Sequence, residues 1–352
     1  MEILTSNFPP LKYDYKTFSD SFSKLIVGSD YLQIASGYIS AESITEIKRI
    51  IESNNGPKLD LLIGMHYFDG ITRTQYESAL YLNEFLESKN MGSVSIAKTY
   101  KFHGKVYSFS KNGQPIAGVI GSSNLNNILD THRSYEVDVL FNDEPTSTEI
   151  YQMISKVRDK IAYPFKDWRP EIFIENNPLL EGHESVKKVE DYEYQDIRAK
   201  ATGVSFEIPL KATNKHSKSN LNVYFGQGRK NSSTGFVKPR HWYEVELIVP
   251  KELTSDSNYP KAGYPETEST ITVVTDDCWS FECKISGDYS KNFRSNKDLK
   301  ILGKWIKGRL ENNEALKVGE HVTEEVLKKY GRSNLKLTAT NNPKVWILDF
   351  SV

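Results

Sequence analysis

The sequence predicts an α/β sandwich with a mixed sheet in the first half of the chain and a β-rich barrel or pseudobarrel in the second. Three observations carry this. Strand and helix patterns alternate through about the first 165 residues, the pattern dissolves between about residues 164 and 200, and beyond it short apolar strands return with few helices. A chain of 352 residues is long for one compact domain and comfortable for two. The expected division is a first domain over 1–170, a linker over 171–200 and a second domain over 201–352.

In the first half, YLQIAS at 31–36 reads as a strand. Residues 41–53 place Ile44, Ile47, Ile50 and Ile51 at helical spacing. LDLLI at 59–63 is a second apolar strand ended by Gly64, and 72–88 is a helix with Tyr76, Leu80, Leu82 and Phe85 among its apolar positions. Residues 94–97 form a third strand. Residues 105–109 and 116–120 flank Asn112-Gly113, the pair that favours a tight hairpin turn. YEVDVLF at 135–141 is a further strand. A helix follows over 146–161, with Thr146 and Glu149 spaced as a capping box.

The segment from 164 to 200 is highly charged and has no period, so it reads as a linker or peripheral layer. Strands are expected at 204–210, 242–249, 270–275, 280–285 and 345–350, with helices at 299–310 and 323–330. Trp305 and Trp346 are expected in the core. There is no internal repeat and no low-complexity segment.

Hydrophobic residues make up 38% of the chain and charged residues 26%, as in ordinary water-soluble proteins. No apolar run reaches the roughly 18 residues that a membrane span needs. The start, MEILTSNFPP, lacks the basic-then-apolar order of a secretory signal. Cys278 and Cys283 are too few for a disulfide framework and lack a second ligand pair for structural zinc, so a reducing cytoplasm is expected.

The formal net charge is -1, but cations cluster. From Lys211 to Arg240 stand Lys211, Lys215, Lys218, Arg229, Lys230, Lys238 and Arg240, with no Asp or Glu between them. From Lys284 to Arg309 stand Lys284, Lys291, Arg294, Lys297, Lys300, Lys304, Lys307 and Arg309 against Asp288 and Asp298. These stretches suit either phosphate binding or plain solvated surface.

The chemistry concentrates in KFHGKVYSFS, 101–110. On a strand, His103 and Lys105 project to one side. GSSN at 121–124 ends the next strand and Glu136 lies on the one after. Neighbouring strands about 4.8 Å apart could gather an imidazole, an ammonium, a carboxamide, a hydroxyl and a carboxylate around one point. An imidazole can attack phosphorus. Lys105 and Asn124 can hold the negative charge of the transition state, with a hydroxyl of Ser122 or Ser123 as a further donor. Glu136 can accept from the second imidazole nitrogen and fix the tautomer. A second imidazole must protonate the leaving oxygen, and no metal is required. His216-Ser217-Lys218 repeats the His-x-Lys spacing, but in a polar stretch without a following Gly-Ser-x-Asn, so it reads as a loop.

HGK at 103–105 followed by GSSN at 121–124 resembles the His-x-Lys…Gly-Ser-x-Asn signature of the phospholipase D superfamily. The runs FGQGRKNSSTGFVKPRHWYEVELIVP, DYSKNFRSNKDLKILGKWIKGRL and VTEEVLKKYGRSNLKLT…WILDFSV resemble the C-terminal part of NgoFVII-type restriction endonucleases. That family joins a phospholipase-D-like nuclease to a B3-like DNA-recognition domain. The resemblance implies a type II-like restriction endonuclease acting on double-stranded DNA. It makes His103 the nucleophile, Lys105 and Asn124 the phosphate-binding pair and Glu136 the acid that orients the histidine. One departure is Ser110, where the superfamily motif carries Asp. With one usable copy of the motif, a homodimer with a composite site is expected. The B3-like domain would read the major groove through two arms, around 211–233 and 288–297. Gln227, Arg229, Lys230, Arg294 and Asn296 are candidates for base edges, with Lys211, Lys215, Lys218, Lys291 and Lys297 beside them. Some relatives depend on a separate ATPase/translocase. No GxxxxGK[ST] motif occurs here, so ATP and Mg²⁺, if needed, would serve another polypeptide, and this chain is expected to hold no cofactor.

Three rival readings stay open at this level. Asp276, Asp277, Glu282 and Lys284 resemble the Asp…Glu-x-Lys pattern of magnesium nucleases. The first domain could serve only to dimerise a non-catalytic, sequence-specific DNA-binding protein. A lipid-cleaving phospholipase would share the His-x-Lys chemistry, but no amphipathic membrane stretch is evident.

Overall fold

A computed structural model of the chain describes residues 1–129, 134–175, 180–183, 185–212, 220–263 and 270–352. In chain order the first elements are β1 (Glu2–Thr5), α1 (Phe18–Gly28), β2 (Tyr31–Ser36), α2 (Ala41–Asn54), β3 (Lys58–Ile63), α3 (His66–Asp69), α4 (Arg73–Ser88), β4 (Gly92–Ala97), β5 (Lys105–Lys111), β6 (Gln114–Gly121), β7 (Val137–Phe141), α5 (Glu144–Ile161) and β8 (Ala162–Pro164). There follow β9 (Val186–Lys188), α6 (Asp191–Ala199), β10 (Ala201–Pro209), β11 (Arg229–Lys230), β12 (Val237–Lys238), β13 (Leu247–Ile248), α7 (Lys251–Thr254), β14 (Thr270–Thr275), β15 (Trp279–Ser286), β16 (Asn292–Ser295), α8 (Lys300–Asn312), α9 (Glu324–Tyr330), β17 (Asn334–Thr340) and β18 (Val345–Asp349). The chain forms two compact units. The first is Met1–Glu175 with Gly228–Pro239, and the second is Asn176–Gln227 with Arg240–Val352.

The first unit is built on a mixed sheet in the order β1-β7-β6-β5-β2-β3-β4-β8, in which β2, β3 and β4 run parallel and the other pairs antiparallel. One face is covered by α1, α2 and α4, which bury Phe18, Phe22, Ile44, Ile47, Tyr76 and Leu82 against Leu32, Ile34, Leu61 and Tyr107. On the other, Ile150 and Ile154 of α5 pack on Ala35, Leu62 and Val106. Helix α5 covers the sheet only in part. On its side of the outer strands Ile3, Val137 and Ile120 are 48%, 57% and 39% exposed. Val139 stands opposite both Ile3 and Ile120, so these side chains form one apolar row across three strands. The hairpin of β5 and β6 turns through Asn112 and Gly113, both with positive φ, as their sequence requires.

The hairpin of β11 and β12 belongs to this unit. Asn54, at the end of α2, donates to the Val237 carbonyl at 3.0 Å and accepts its amide at 2.7 Å, and Phe236 joins the same core.

In the second unit the path β10-β17-β18-β14-β15-β16-β13 curls as a half-barrel, with β9 paired to the edge of β15. Trp242, Trp305 and Trp346 are buried in it, as expected for the last two. Helix α6 forms within the segment whose sequence shows no period, and its Tyr194 packs with Val274, Cys278 and Ile347. Two expectations are corrected. Helix α5 starts earlier, with Asp143 as the cap accepting the Thr146 amide at 3.1 Å. Of 242–249 only Leu247–Ile248 is strand, because the chain first turns, with the Glu244 amide donating to the His241 carbonyl at 3.0 Å, and Trp242 gives its carbonyl to Lys307 Nζ at 2.6 Å. Among the described residues no helix is long and apolar enough to cross a membrane.

Candidate active site and DNA-facing surfaces

The strand register assembles the site. Ser36 lies opposite Lys105, Val106 opposite Ile120, and Gly121 opposite Asp138. One row across β2, β5, β6 and β7 therefore carries Ser36, Lys105, Gly121 and Asp138. His103 and Glu136, expected on strands, instead lie just before β5 and β7, two residues ahead of Lys105 and Asp138, and Glu136 lines one pocket with Asp138 and Ser123.

His103 is exposed, and its ring packs edge-on against Tyr38, with centroids 5.7 Å apart. Lys105 is buried, and its Nζ donates to the His103 carbonyl at 2.7 Å. Burial pulls this ammonium below the usual lysine range, against the opposing pull of the Glu136 carboxylate. Asn124 Oδ1 accepts the Tyr38 amide at 3.1 Å and lies 3.4 Å from Ser36 Oγ. A backbone N–H can only donate, so the carboxamide oxygen is committed to β2 and its NH₂ group faces away. Ser36 Oγ also accepts the Leu125 amide at 3.1 Å.

Glu136 is held by hydroxyls: Ser122 Oγ donates to one oxygen and Ser134 Oγ to the other, at 2.5 Å. Ser122 Oγ in turn accepts the Val137 amide at 3.0 Å. Ser123 is buried and donates its hydroxyl to Asp138 Oδ2 at 2.6 Å and its amide to Asp138 Oδ1 at 2.9 Å. The sequence reading offers a serine hydroxyl to phosphate. In this structure both hydroxyls are spent on carboxylates instead.

Ser110 is buried at the far end of β5, opposite Tyr31. Five residues of strand place it about 16 Å along from Lys105. Ser36, Tyr38 and Asp138 were not picked out from the sequence. For Asp138 a signal was available, because the E-x-D spacing of 136–138 puts both carboxylates on one face of a strand.

His66 is the other described histidine of this unit. Its Nε2 accepts the Ile39 amide at 3.2 Å, so Nδ1 carries the proton and donates to the Gly70 carbonyl at 2.8 Å. Burial holds its pKa below the ordinary histidine value, against the hydrogen-bonded carbonyl and nearby Asp69. The unfolded state therefore protonates first as pH falls. The stability this group contributes is present above about pH 6.5 and is lost as pH drops through the folded value. Thermal unfolding of this unit is expected to shift downward between pH 7.5 and 5.5. The shift should shrink in His66→Gln, whose amide can keep both hydrogen bonds.

The basic stretches are only partly surface. Lys211, Gln227, Arg229, Lys230 and Lys297 are exposed. Arg229 and Lys230 lie on the hairpin that belongs to the first unit, whereas Gln227 belongs to the second. Lys215 and Lys218, with the second His-x-Lys, lie outside the described residues. Lys291 Nζ stands 3.9 Å from Asp288. Arg294 and Lys284 are register partners on β16 and β15, with Arg294 Nε 3.7 Å from Glu246, and Asn296 donates to Glu282 at 3.0 Å. Lys307 and Arg309 leave the footprint: the first is buried, and the second pairs with Asp276 at 2.7 Å.

The rival carboxylates are also spoken for. Asp276 holds Arg309 and accepts the Phe350 amide at 3.0 Å, while Asp277 accepts Thr275 Oγ1 at 2.6 Å and the Trp305 indole at 2.8 Å. Among the described residues no group of three or more His, Cys, Asp or Glu side chains is placed to hold a metal ion.

The two units define a class: a phospholipase-D-like nuclease domain joined to a B3-like DNA-binding domain. Residues 16–165 match the NgoFVII restriction endonuclease N-terminal PLD domain, and residues 196–341 match the NgoFVII C-terminal B3-like DNA-binding domain. The chain belongs to the NgoFVII restriction endonuclease family, and it is a nuclease with a DNA-binding domain. Among solved structures it is similar to Nuc, a phospholipase D family member from Salmonella typhimurium, at 9% identity over 46% of this chain and 97% of that one, TM-score 0.30. It is likewise similar to NucT from Helicobacter pylori, at 15% identity over 46% of this chain and 100% of that one, TM-score 0.31. No curated protein matches it.

Proposed function

We propose that the chain hydrolyses DNA phosphodiester bonds without a metal ion, through a phosphohistidine on His103, while its C-terminal domain reads a sequence in double-stranded DNA. The observation that supports this is the strand order β5-β6-β7: His103 and Lys105 stand at the start of β5, Asn124 just after β6 and Glu136 just before β7, at one end of three adjoining strands. An imidazole nitrogen of His103 attacks phosphorus, and the N–P bond forms as the P–O bond to the leaving strand breaks. Lys105 and the NH₂ group of Asn124 hold the charge on the non-bridging oxygens. The leaving oxygen takes a proton from a second imidazole. That imidazole then takes a proton from the water that attacks phosphorus and frees His103. Glu136 orients the His103 ring once one of its two hydroxyl donors gives way.

His66 does not suit the second role, because both its ring nitrogens are engaged. The second imidazole is His103 of another copy in a homodimer. One usable copy of the His-x-Lys…Gly-Ser-x-Asn motif per chain supports this reading. Lys211, Lys215, Lys218, Gln227, Arg229, Lys230, Lys291, Arg294, Asn296 and Lys297 are proposed to face DNA, most of them at phosphates. Any ATP dependence comes from a separate ATPase that uses Mg²⁺ itself.

The test is cleavage of long mixed-sequence DNA in excess EDTA, with acid-labile phosphoenzyme trapped on quenching. Parallel reactions contain Mg²⁺, ATP and host-cell extract. Cutting in EDTA with trapped phosphohistidine is expected. Cutting that needs ATP and extract would place the chain under a partner's control. A strict need for Mg²⁺ with no phosphoenzyme would overturn the mechanism.

A further inference from the structure

Asp138 sits beside the proposed site and has no part in the mechanism above. It is 1% exposed, and both of its oxygens are used on one residue, the amide and hydroxyl of Ser123. The Ser123 carbonyl is held as well, by the hydroxyl of fully buried Tyr107 at 2.8 Å. Every polar group of Ser123 is therefore fixed, and the next residue is Asn124. From the other side Tyr38 and Ser36 fix the Asn124 carboxamide oxygen and the Leu125 amide. The loop is clamped between β7 and β2.

The glycine of GSSN belongs to the same device. A Cβ on Gly121 would meet Asp138 Oδ1 at 2.2 Å and the Asp138 Cα at 2.5 Å. Any side chain there would push this carboxylate off the Ser123 amide. Gly121 stands between Lys105 and Asp138 in the row, so its missing side chain is what lets the carboxylate reach the loop. Ser110, where the superfamily motif carries its acid, is at the other end of β5 and cannot do this.

We infer that Asp138 is the positioning carboxylate of the phosphate-binding loop: through Ser123 it sets where the Asn124 NH₂ group stands relative to Lys105. The inference rests on the reading of Asn124 and Lys105 as the phosphate-binding pair. Its chemistry is specific. A carboxylate accepts from an N–H and an O–H at once, whereas an asparagine keeps one acceptor and turns an NH₂ group toward the serine hydroxyl. Burial raises the Asp138 carboxyl above its ordinary value, with the Glu136 charge adding to the rise, while the bonds from Ser123 oppose it. Misplacing a transition-state donor by about 1 Å can cost on the order of a hundredfold in rate.

The experiment compares full-length wild type, Asp138→Asn, Asp138→Ala, Ser123→Ala and the Asp138→Asn/Ser123→Ala pair, with His103→Ala as baseline. Readouts are kcat, KM, thermal midpoint and the amplitude of the phosphoenzyme burst. The expected result is a graded fall in kcat, about tenfold for Asn and up to about a hundredfold for Ala, with KM unchanged. The folded fraction at the assay temperature, read from the thermal unfolding curve, should stay at the wild-type value. The double variant should lose no more than Asp138→Asn alone, since both changes break one contact. Wild-type kcat in a folded Asp138→Asn, with His103→Ala inactive, would overturn the inference while leaving the site intact. A fall in the folded fraction at the assay temperature that accounts for all the lost rate would reduce Asp138 to a folding role and overturn it too. Activity persisting in His103→Ala would overturn the site reading itself, and the inference with it.

Discussion

His103→Ala is expected to lower DNA cleavage by about 10⁴-fold or more while leaving the fold and DNA binding intact. The side chain is exposed, and beyond the edge of Tyr38 its ring has no hydrogen bond among the described residues, so its removal takes little from the packing. The loss would fall on chemistry alone, because the other described imidazole of this unit, His66, has both ring nitrogens engaged. A mixing measurement extends the same variant to the composite site. When wild-type and His103→Ala chains are co-expressed in equal amounts, a site needing both imidazoles should retain about one quarter of the activity. Independent sites would retain about one half. A value near one half would refute the shared site without touching the nucleophile. Unchanged cleavage by pure His103→Ala would refute both.

Glu311→Ala should give the largest loss of stability in the second unit, about 3–5 kcal/mol. Such a loss is a large share of the 5–15 kcal/mol that usually holds a domain folded. Lys307 is fully buried, one helical turn before Glu311 on α8. Its Nζ donates to the Trp242 carbonyl and lies 3.9 Å over the Trp242 ring. Glu311 accepts the Trp242 indole N–H at 2.8 Å and the Tyr243 hydroxyl at 2.7 Å. Removing the carboxylate would leave two buried donors unpaired and a buried ammonium without its counter-charge.

Burial pushes Lys307 down to about 7, with Glu311 opposing the shift. The unfolded chain, with an ordinary lysine, binds more protons between that value and about 10.4. Stability from this group is therefore present at high pH and falls as pH drops through about 7. Tryptophan-monitored unfolding should show wild type more stable at pH 9 than at pH 6.5, and a flatter profile in Lys307→Met. The Lys307→Met/Glu311→Gln pair should recover most of what Glu311→Ala loses, since a charge and its compensation leave together. A Glu311→Ala protein as stable as wild type would show that the network carries no weight.

Much of the fold could be read from local pattern. The helix at Ile44, Ile47, Ile50 and Ile51 and the Asn112-Gly113 hairpin each stand where spacing or turn chemistry put them. The misses are as informative. Helix α1 buries Phe18, Phe22 and Ile26 at a spacing of four, but among serines and one aspartate that dilute the apolar signal. Strands β16 and β17 were missed as well. Both alternate buried with polar positions, NFRS in β16 and NLKLTAT in β17, and β16 lies inside a basic stretch, so their composition suggests exposed surface. Conversely, Lys307 and Arg309 counted toward a basic stretch that suits phosphate or solvent, because a sequence does not reveal which lysine is buried.

What the sequence determined by itself was the division of labour: an α/β half carrying His103, Lys105, Asn124 and Glu136 in order, a β-rich half, and the family resemblance of both. Strand alternation makes such facts local, since i and i+2 share a face wherever the strand goes. What only the tertiary structure decided was partnership. The row Ser36, Lys105, Gly121 and Asp138 draws on four strands separated by as much as a hundred residues, and its register is set by turns and by burial of one face. The same holds for the serines of GSSN, which are spent on Glu136 and Asp138, and for the hairpin of Arg229 and Lys230, which Asn54 ties to the first unit. Hydrogen bonds of this kind depend on which groups lose water together, and that is settled only when the chain has packed.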